Sequence, residues 1–377
     1  MKKSIKLFAD AHVFDSEFQG SRTFLREIYN VLTQKEELEI YLGAYDIDNL
    51  KKNFSNPENI HFIKYKSKSS VYRLLFDIPF ILKKYKIDLA HFQYIVPLKK
   101  QCEFIVTTHD VIFNEYPEEF NFFYRRMKNF LYKKGVTNAD ILTTVSVYSK
   151  KSIQKYFGID EEKIHIIPNG VNEIFFQPYN KQDSKNYIQK EYGFSKFILY
   201  VSRFESRKNH AFLLKVFVDL KLYNEGYHLV LLGAKTIATP EFDGILNDLP
   251  ETIKSYIFIN EDINDKNIIE FYRAAEIFVY PSKAEGFGIP PLEAAAAKVP
   301  VLCSNSSAMS DFVFFGDQLF NPFNYEELKT KLKEICESGV DNNNLFEIAN
   351  TVRQQYSWEK SAELLYQVIN KNVKPLS

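Results

Sequence analysis

The stretch IFVYPSKAEGFGIPPLEAAAAKVPVLCS, residues 277–304, reads as a strand, a loop, a helix and a second strand. The two end segments are short and apolar throughout, which is typical of parallel strands that are buried on both faces. The helix between them supplies the crossover that two parallel strands require. This stretch therefore predicts an α/β fold with a parallel sheet.

The same alternation of strand and helix patterns runs through the chain. Strand-like runs occupy residues 5–10, 38–45, 89–94, 104–110, 141–146 and 164–170 in the first half, and 196–203, 227–234, 256–260, 277–282 and 299–305 in the second. Because 377 residues exceed the size at which one core stops growing, we expect two α/β domains. The polar run 173–193 breaks the pattern and is predicted to be the linker between them. A final amphipathic helix carries the only tryptophan, Trp358.

Composition excludes several classes of protein. The 48 basic residues balance the 48 acidic residues, so nothing indicates nucleic-acid binding. The three cysteines, Cys102, Cys303 and Cys336, are far apart, which argues against a disulfide framework or a zinc site. No apolar run has the roughly 20 residues that a membrane span needs. These features predict a cytoplasmic protein.

The region 61–134 departs from this balance. It holds 14 Lys and Arg residues against 7 Asp and Glu residues, and it contains the aromatic and basic run FFYRRMKNFLYKK. One interpretation is a solvated helix whose lysines reach into water. The other is a surface that meets an anionic membrane or a lipid-linked substrate, which basic amphipathic helices can do.

The loop within the opening stretch has the composition of a binding site. It lies beyond a strand's carboxyl end, where ligands bind in open α/β sheets. Gly286 and Gly288 would let the backbone approach a ligand closely. Glu285 precedes these glycines, and Glu293 is expected in the first turn of the following helix. A carboxylate is favoured at that position by the helix dipole alone, so Glu293 has a purely structural alternative.

A second stretch, YVSRFESRKNH at residues 200–210, places two cations after another strand. Arg203 and Lys208 suit a diphosphate, since Arg can bind two oxygen atoms at once and Lys acts as a point charge. The alternative is an ordinary solvated loop.

Taken together, these motifs resemble a retaining glycosyltransferase of family 4. The resemblance rests on Arg203 and Lys208, on LLGA at 231–234 and on EGFGIPPLE at 285–293, and it extends to VSVYSK at 145–150 and IIPNGVN at 166–172. The segments HFQYIVPL and TTHDVIFNEYPEEF are most similar to the mannosyltransferase-like members. That family has the GT-B architecture, in which two Rossmann-like domains face each other across a cleft. The resemblance implies an N-terminal domain over 1–175, a C-terminal domain over 192–355, and a helix over 356–377 that crosses back to the first domain.

The resemblance also implies site residues. Glu285 and the amides around Gly286, Phe287 and Gly288 would hold the donor sugar, and Glu293 would hold the ribose. Arg203 and Lys208 would neutralise the departing diphosphate. From the first domain, the loop containing Gly20 would face the donor phosphates and His109 would contact the donor sugar. Asp110 would orient the acceptor or merely cap its turn, and His109 could also be a packed core histidine.

The implied reaction moves a hexose, with mannose favoured, from a nucleotide-sugar to a glycan or lipid-linked glycan. GDP-mannose is favoured over a UDP-sugar as the donor, and no cofactor or metal is expected. Asp46 and Asp48 form a DxD pair that could bind a cation but lies far in sequence from the donor motifs. Alternatives are another nucleotide-sugar enzyme of this architecture, such as an epimerase, or a catalytically silent binding subunit. Peripheral contact with the inner face of the membrane through 61–134 is a further expectation.

Overall fold

The computed structural model describes residues 4–15, 20–235 and 237–373, apart from the side chain of residue 265. The chain divides into two compact units. Unit 1 comprises Met1–Gly170 together with Trp358–Ser377, and unit 2 comprises Val171–Ser357. Each unit is an α/β domain built on one parallel sheet, which confirms the predicted fold class.

Within the described residues, unit 1 holds a seven-stranded parallel sheet in the order β3-β2-β1-β4-β5-β6-β7. Its strands are β1 (Ile5–Asp10), β2 (Leu38–Ala44), β3 (Ile60–Lys64), β4 (Leu89–Gln93), β5 (Glu103–Thr107), β6 (Ile141–Thr144) and β7 (Ile164–Ile166). Its α-helices up to residue 170 are α1 (Gly20–Leu32), α2 (Ile47–Lys51), α3 (Ser70–Tyr72), α4 (Ile78–Tyr85), α5 (Ile112–Glu115), α6 (Phe122–Asn138) and α7 (Val147–Phe157). A π-helical turn, Arg73–Asp77, joins α3 to α4, and short 3-10 helices span His12–Asp15, Pro57–Asn59, Pro117–Glu119 and Glu161–Lys163.

The strand order of unit 1 reverses at β1 and β4, and this reversal decides where its helices lie. Right-handed crossovers that run in opposite directions along a sheet place their helices on opposite faces. In agreement, apolar residues of α4, α6 and α7 share one buried cluster with β-strand residues such as Phe8 and Phe92. The reversal also opens a crevice at the carboxyl ends of β1 and β4, where ligands bind in such sheets.

Unit 2 repeats this plan with six parallel strands, in the order β10-β9-β8-β11-β12-β13 among the described residues. They are β8 (Phe197–Val201), β9 (His228–Leu232), β10 (Ile257–Asn260), β11 (Ile277–Tyr280), β12 (Val301–Ser304) and β13 (Leu319–Phe320). The helices are α8 (Lys181–Tyr192), α9 (His210–Asp219), α10 (Pro240–Asp248), α11 (Glu251–Lys254), α12 (Asp265–Ala274), α13 (Ile289–Ala296), α14 (Tyr325–Ser338) and α15 (Asn342–Gln355). Short 3-10 helices span Glu173–Phe176, Ser206–Lys208, Leu222–Glu225, Ser307–Asp311 and Val313–Gln318. The order reverses between β8 and β11.

The last helix, α16 (Trp358–Asn372), returns to unit 1 and packs on α1. The Trp358 ring lies 6.3 Å from the Phe24 ring in a T-shaped arrangement, and Trp358 is buried. Lys35 forms an ion pair with Glu363 of α16 at 2.7 Å. The amphipathic pattern of the tail is thus satisfied by a partner face within unit 1.

The prediction of a linker over residues 173–193 is wrong for most of that run. Residues 181–192 form α8, which packs against α12 inside unit 2. Although its composition is polar, α8 buries Ser184 and Ile188, and the Ser184 hydroxyl donates to Glu270 at 2.6 Å. An Asn180 N-cap and a C-terminal Gly193 at φ 87° set its limits. Polar composition alone therefore does not distinguish a linker from a surface helix.

Candidate active site

Two loops meet at the carboxyl edge of the unit 2 sheet, because β8 and β11 are neighbouring parallel strands. The loop after β8 contains the short 3-10 helix Ser206–Lys208. The loop after β11 runs from Pro281 to Gly288, which is the N-cap of α13. The strand-order reversal therefore brings together side chains that are about 80 residues apart in the sequence.

The Lys208 ammonium and the Glu285 carboxylate form a buried ion pair in this place. Arg207 approaches the second carboxylate oxygen at 3.4 Å, and the Tyr280 hydroxyl donates to the first at 2.8 Å. Burial opposes ionisation of Glu285, but Lys208 and Arg207 overcome it and lower its pKa to about 2. Burial and Arg207 lower the pKa of Lys208, while Glu285 opposes that shift. The pair is ionised at neutral pH.

Arg207 extends this pair into a network. Its guanidinium binds Glu205 at 2.6 Å and donates to the Ala284 carbonyl at 2.6 Å. Arg203 reaches the other oxygen atom of Glu205 at 3.0 Å, and its side chain is about half exposed. The cluster of Arg203, Arg207, Lys208, Glu205 and Glu285 therefore carries three cations and two carboxylates.

Hydrogen bonds with residues 307 and 308 hold the backbone of the loop after β11. The Glu285 amide donates to the Ser307 hydroxyl at 2.8 Å, and Glu285 accepts from the Ala308 amide at 3.3 Å. Gly288 has φ 99°, and a Cβ at this position would meet Met309 side-chain atoms at 3.3 Å. Glycine is required here because L side chains rarely adopt that conformation.

The Phe287 side chain is buried, with ring centroids 5.7 Å from those of Phe312 and Tyr356. Gly286 lies between Phe287 and the Glu285 ion pair in sequence. Any contact of Phe287 with a ligand would thus come from its backbone and not from its ring.

Glu293 does not lie in the first turn of its helix, and the expectation that it would is wrong. Because Gly288 is the N-cap, α13 begins at Ile289 and Glu293 is its fifth residue. The Tyr272 hydroxyl donates to the Glu293 carboxyl at 2.7 Å. Burial raises the pKa of Glu293 to about 7, and the Tyr272 hydrogen bond opposes the rise. The helix dipole is therefore not the reason for this carboxylate.

In unit 1, His109 follows β5 at the carboxyl edge of the sheet and is buried. Its Nε2 lies 3.0 Å from Gln93 Oε1, and the Phe24 ring meets its ring edge-on with centroids 5.0 Å apart. Burial lowers the pKa of His109 to about 3, so the imidazole is neutral. Asp110 accepts from the Ile112 amide at 3.2 Å, as a turn cap does.

Two other predicted positions lie at the starts of helices. Gly20 is the first residue of α1, and no described atom lies within 4 Å of where its Cβ would stand. Gln19, which precedes it in the predicted phosphate-facing loop, lies outside the described residues. Asp46 caps α2 by accepting from the Asn49 amide at 3.0 Å. In the parts of the chain that the structure describes, no three His, Cys, Asp or Glu side chains gather as a metal site requires.

Comparison with known families agrees with this geometry. The profile described as "Glycosyl transferases group 1" matches residues 182–352, and that of "Glycosyltransferase Family 4" matches residues 19–174. Together the two profiles cover most of the chain.

The chain belongs to the group 1, family 4 glycosyltransferases.

Among relatives of this glycosyltransferase, the O-antigen chain mannosyltransferase B of Escherichia coli is 26% identical, over 87% of this chain and 89% of its own. The O-antigen chain mannosyltransferase RfbU of Salmonella typhimurium is 28% identical, over 61% of this chain and 60% of its own. The match to the E. coli mannosyltransferase WbdA spans only 28% of that longer protein.

Solved structures share the GT-B fold of this glycosyltransferase. Sucrose-phosphate synthase from Thermosynechococcus elongatus superposes with a TM-score of 0.78 at 17% identity, covering 98% of this chain and 99% of its own. HepE from Anabaena, solved in complex with UDP, gives 0.74 at 14% identity, covering 97% of this chain and 100% of its own. At these identities the likeness concerns the fold alone.

Each unit of the glycosyltransferase gathers part of the predicted site. Unit 2 brings Lys208, Glu285 and Arg203 to one sheet edge. Sequence reasoning missed Arg207, which contacts Glu285, and Gln93, which contacts His109. Arg207 is adjacent in sequence to Lys208, which was identified, so its charge could have indicated a place in the same site. No local pattern marks Gln93, since its importance comes from pairing across β4 and β5.

Proposed function

We propose that this chain transfers a mannosyl group from a nucleotide-diphosphate sugar to a glycan or lipid-linked glycan, with retention of anomeric configuration and without a metal ion. The observation that carries the proposal is the buried ion pair of Lys208 and Glu285, joined by the partly buried Arg207, at the sheet edge of unit 2. It lies within residues 182–352, which match the group 1 profile.

The charge of this cluster suits the leaving group. Three cations against two carboxylates leave one net positive charge at a sheet edge that also presents the start of α13. Negative charge develops on the diphosphate as the bond to the sugar breaks, and cations held in advance stabilise that charge more than the ground state. We expect phosphate oxygen atoms to compete with Glu285 for Lys208, and with Glu205 for Arg203.

The donor we propose is GDP-mannose. Support comes from the two O-antigen mannosyltransferase relatives, which are 26% and 28% identical to this chain. Glu293 is proposed to accept the ribose hydroxyls, and the loop amides with Glu285 to hold the sugar.

A thermal-shift panel of GDP, UDP and ADP tests this choice, because a ligand that binds only the folded state raises the melting temperature. GDP should give the largest shift, and release of GDP from GDP-mannose should follow. A larger shift with UDP would overturn the choice of donor. Binding without any turnover would indicate a silent binding subunit, and turnover without transfer to an acceptor would favour an epimerase.

The state of Glu285 supports a front-face route to retention. Double displacement would need a carboxylate free to attack the anomeric carbon. The Glu285 oxygen atoms are instead engaged by Lys208, Arg207 and Tyr280, which makes Glu285 a poor nucleophile. In the proposed route the acceptor hydroxyl attacks the anomeric carbon on the same face from which the diphosphate departs. The departing diphosphate accepts the proton of that hydroxyl. The one-bond ¹³C–¹H coupling at the anomeric carbon of the product reports retention directly. An inverted product would refute the front-face route.

Metal independence is proposed because Arg203, Arg207 and Lys208 supply the positive charge. Turnover should survive excess EDTA. Loss of turnover that magnesium or manganese restores would assign the phosphate charge to an ion.

Contact with an anionic membrane is proposed for one face of unit 1, which we name the aromatic–basic face. It consists of the exposed Phe122, Phe123, Met127 and Phe130 of α6, with Val71, Leu75, Phe76 and Phe80 of the α3–α4 segment. Phe123 and Phe130 are 80% and 68% exposed. The inner residues of α4 and α6 share one buried cluster, so both helices cover the same side of the sheet.

Cations flank these exposed rings. Arg126 lies 5.7 Å from the centre of the Phe122 ring, and Lys66 and Lys84 lie 5.5 and 5.8 Å from that of Phe80. Aromatic rings beside cations are what an interfacial helix presents to anionic headgroups. Among the described residues, no helix is long and apolar enough to cross a bilayer, so the proposed contact is peripheral.

Flotation with liposomes tests the aromatic–basic face. The chain should float with anionic vesicles at low salt, less at high salt, and little with neutral vesicles. The double substitution Phe122→Ser and Phe123→Ser should abolish flotation. Phe346→Ser is the matched control, because Phe346 is an exposed ring of unit 2 beside Lys298. Equal recovery with both vesicle types, or equal loss in the control, would refute membrane contact.

A further inference from the structure

His109 is held by side chains that determine where its proton lies. Gln93 contacts it through Oε1, and the Gln93 amide nitrogen lies 3.3 Å from the Ser21 carbonyl of α1. A carbonyl oxygen can only accept a hydrogen bond, so the NH₂ group of Gln93 must face Ser21. The amide oxygen of Gln93 therefore faces His109.

This orientation fixes the tautomer of the imidazole. The Gln93 oxygen can only accept, so the His109 Nε2 opposite it must carry the proton. The ring is neutral because burial holds the pKa of His109 near 3. With one proton on Nε2, Nδ1 carries the lone pair and is the accepting atom of the ring.

The contact is one of two polar side-chain pairs that join β4 to β5 and to the residues just after β5. One step below it, His91 Nε2 lies 2.7 Å from the Thr107 hydroxyl, and the Tyr29 hydroxyl lies 3.0 Å from His91 Nδ1. His91 and Gln93 are two residues apart on β4, so their side chains lie on one face of the sheet.

Helix α1 contacts both of these pairs. It supplies the Ser21 carbonyl to Gln93, the Phe24 ring to His109 and the Tyr29 hydroxyl to His91. The Tyr94 ring covers another side of His109, with centroids 5.4 Å apart. The imidazole is thus restrained in position as well as in protonation.

We propose that Gln93 is a positioning residue that holds His109 as the Nε2–H tautomer, so that Nδ1 accepts a hydrogen bond from a sugar hydroxyl group. The part that concerns the sugar rests on the proposed function, whereas the tautomer does not. A neutral nitrogen lone pair repels a phosphate oxygen and attracts a hydroxyl hydrogen. His109 Nδ1 accordingly selects a hydroxyl and not a phosphate.

The tautomer can be read without any assay of activity. In the full-length chain labelled with ¹⁵N-histidine, long-range ¹H–¹⁵N spectra distinguish a protonated nitrogen from one with a lone pair. His109→Gln assigns the signals. The Nε2–H tautomer is expected in the wild type, and a mixture is expected in Gln93→Met, which keeps the size of the side chain but not its acceptor. A wild-type Nδ1–H tautomer, or an unchanged tautomer in Gln93→Met, would overturn the proposal.

Kinetic measurements test the consequence. Gln93→Met should lower kcat about tenfold, as loss of one well-placed hydrogen bond does, with GDP affinity unchanged. Gln93→Glu restores an acceptor and should recover activity at high pH. Its carboxylate also raises the pKa of His109, so activity should fall again as pH drops and Nδ1 becomes protonated.

Tyr29→Phe is the matched control, because it removes a polar contact one step below, at His91. It should leave the pH profile of kcat unchanged. A purely structural role for Gln93 would instead make Gln93→Met and Gln93→Glu equally slow at every pH. If no donor is turned over at all, the proposed function fails while the NMR spectra still decide the tautomer.

Discussion

The polar cluster at the carboxyl ends of β8 and β11 in unit 2 and the one at the carboxyl ends of β4 and β5 in unit 1 are buried by opposite means. In unit 2, Glu285 is ionised between Lys208 and Arg207, and its pKa falls to about 2. In unit 1, His109 and His91 are neutral, and burial lowers the pKa of each to about 3. In the unit 2 cluster opposite charges offset the cost of burial, whereas in the unit 1 cluster the histidines are buried in their uncharged form.

The difference indicates which part of a substrate each cluster can bind. A charged network with one surplus cation can exchange a carboxylate partner for a phosphate oxygen. A neutral network offers donors and acceptors of fixed direction, which suit hydroxyl groups. The four predictions below test this contrast, in order of their expected effect on stability.

The largest effect is expected for Glu285→Gln. Removing one partner of a buried ion pair leaves the other uncompensated, which costs about 3–5 kcal/mol of the free energy of unfolding. Urea denaturation at pH 7 measures this loss. The double variant Glu285→Leu/Lys208→Met removes both charges and should lose less than Glu285→Gln alone.

Lys215→Met is the control for that substitution, because it breaks an exposed ion pair with Glu241 and should change stability by less than about 0.5 kcal/mol. If Glu285→Gln and Lys215→Met are equally mild, the unit 2 edge is not held by charge.

Acid should weaken unit 1 through His91 and His109. Their folded pKa values lie below the ordinary value of 6.5, so the unfolded state takes up protons first as pH falls through 6.5. Each histidine removes about 1.4 kcal/mol per pH unit below that point, and a fall from pH 7 to 5.5 should cost about 2–3 kcal/mol. Trp358, the only tryptophan, lies in unit 1, so its fluorescence during urea unfolding reports that unit.

His109→Asn should remove about half of this dependence. A wild-type unit 1 whose stability is the same at pH 7 and pH 5.5 would mean that these histidines are not held neutral.

Glu293→Gln should change stability and binding in opposite directions. The folded pKa of Glu293 is raised from 4.5 to about 7, so its contribution to stability is present below pH 4.5 and is lost as pH rises to 7. The uncharged glutamine avoids this loss and should raise stability above pH 7 by about 2–3 kcal/mol. If Glu293 also binds ribose, GDP affinity should fall by about 1.5–3 kcal/mol.

Calorimetry in two buffers sharpens the test. Hydrogen bonds from the ribose favour the ionised carboxylate, so GDP binding near pH 7 should release a proton in the wild type and not in Glu293→Gln, after the proton of GDP itself is subtracted. Equal GDP affinities in the two proteins would remove Glu293 from the site.

The smallest effect on stability is expected for Arg203→Met. Its exposed ion pair with Glu205 should contribute less than about 0.5 kcal/mol. GDP affinity should nevertheless fall, by about 1 kcal/mol or more, since a cation on the diphosphate is lost. Melting temperature and calorimetric titration separate the two quantities. A large loss of stability with unchanged affinity would assign Arg203 to folding instead of binding.

Much of the fold was predictable because buried parallel strands have an unmistakable composition. Eleven strand-like runs in the sequence correspond to β1, β2 and β4–β12. The sequence analysis missed β3 and β13. The edge strand β3 is mostly not buried, so its sequence IHFIK lacks an apolar run, and β13 has only two residues. Both are strands because a neighbour pairs with them.

Residues of the candidate site were predictable from the sequence where they belong to a local motif. Glycines beside Glu285, and cations after β8, are local signals of a ligand loop. Gln93 gave no such signal, since a glutamine is not typical of any one kind of site. Its partners, Ser21 and His109, also belong to other elements.

The sequence by itself determined eleven of the described strands, that they form two parallel sheets, and that Glu285 and Glu293 lie near a strand end. It could not assign the protonation states of these two carboxyl groups, because both are glutamates in one motif. Their pKa values, about 2 and about 7, were decided by the tertiary structure. The reason is physical: the ionisation of a buried carboxyl depends on which charges stand within a few ångströms of it. Lys208 and Arg207 reach Glu285 only through the pairing of β8 with β11, whereas Glu293 meets the neutral hydroxyl of Tyr272.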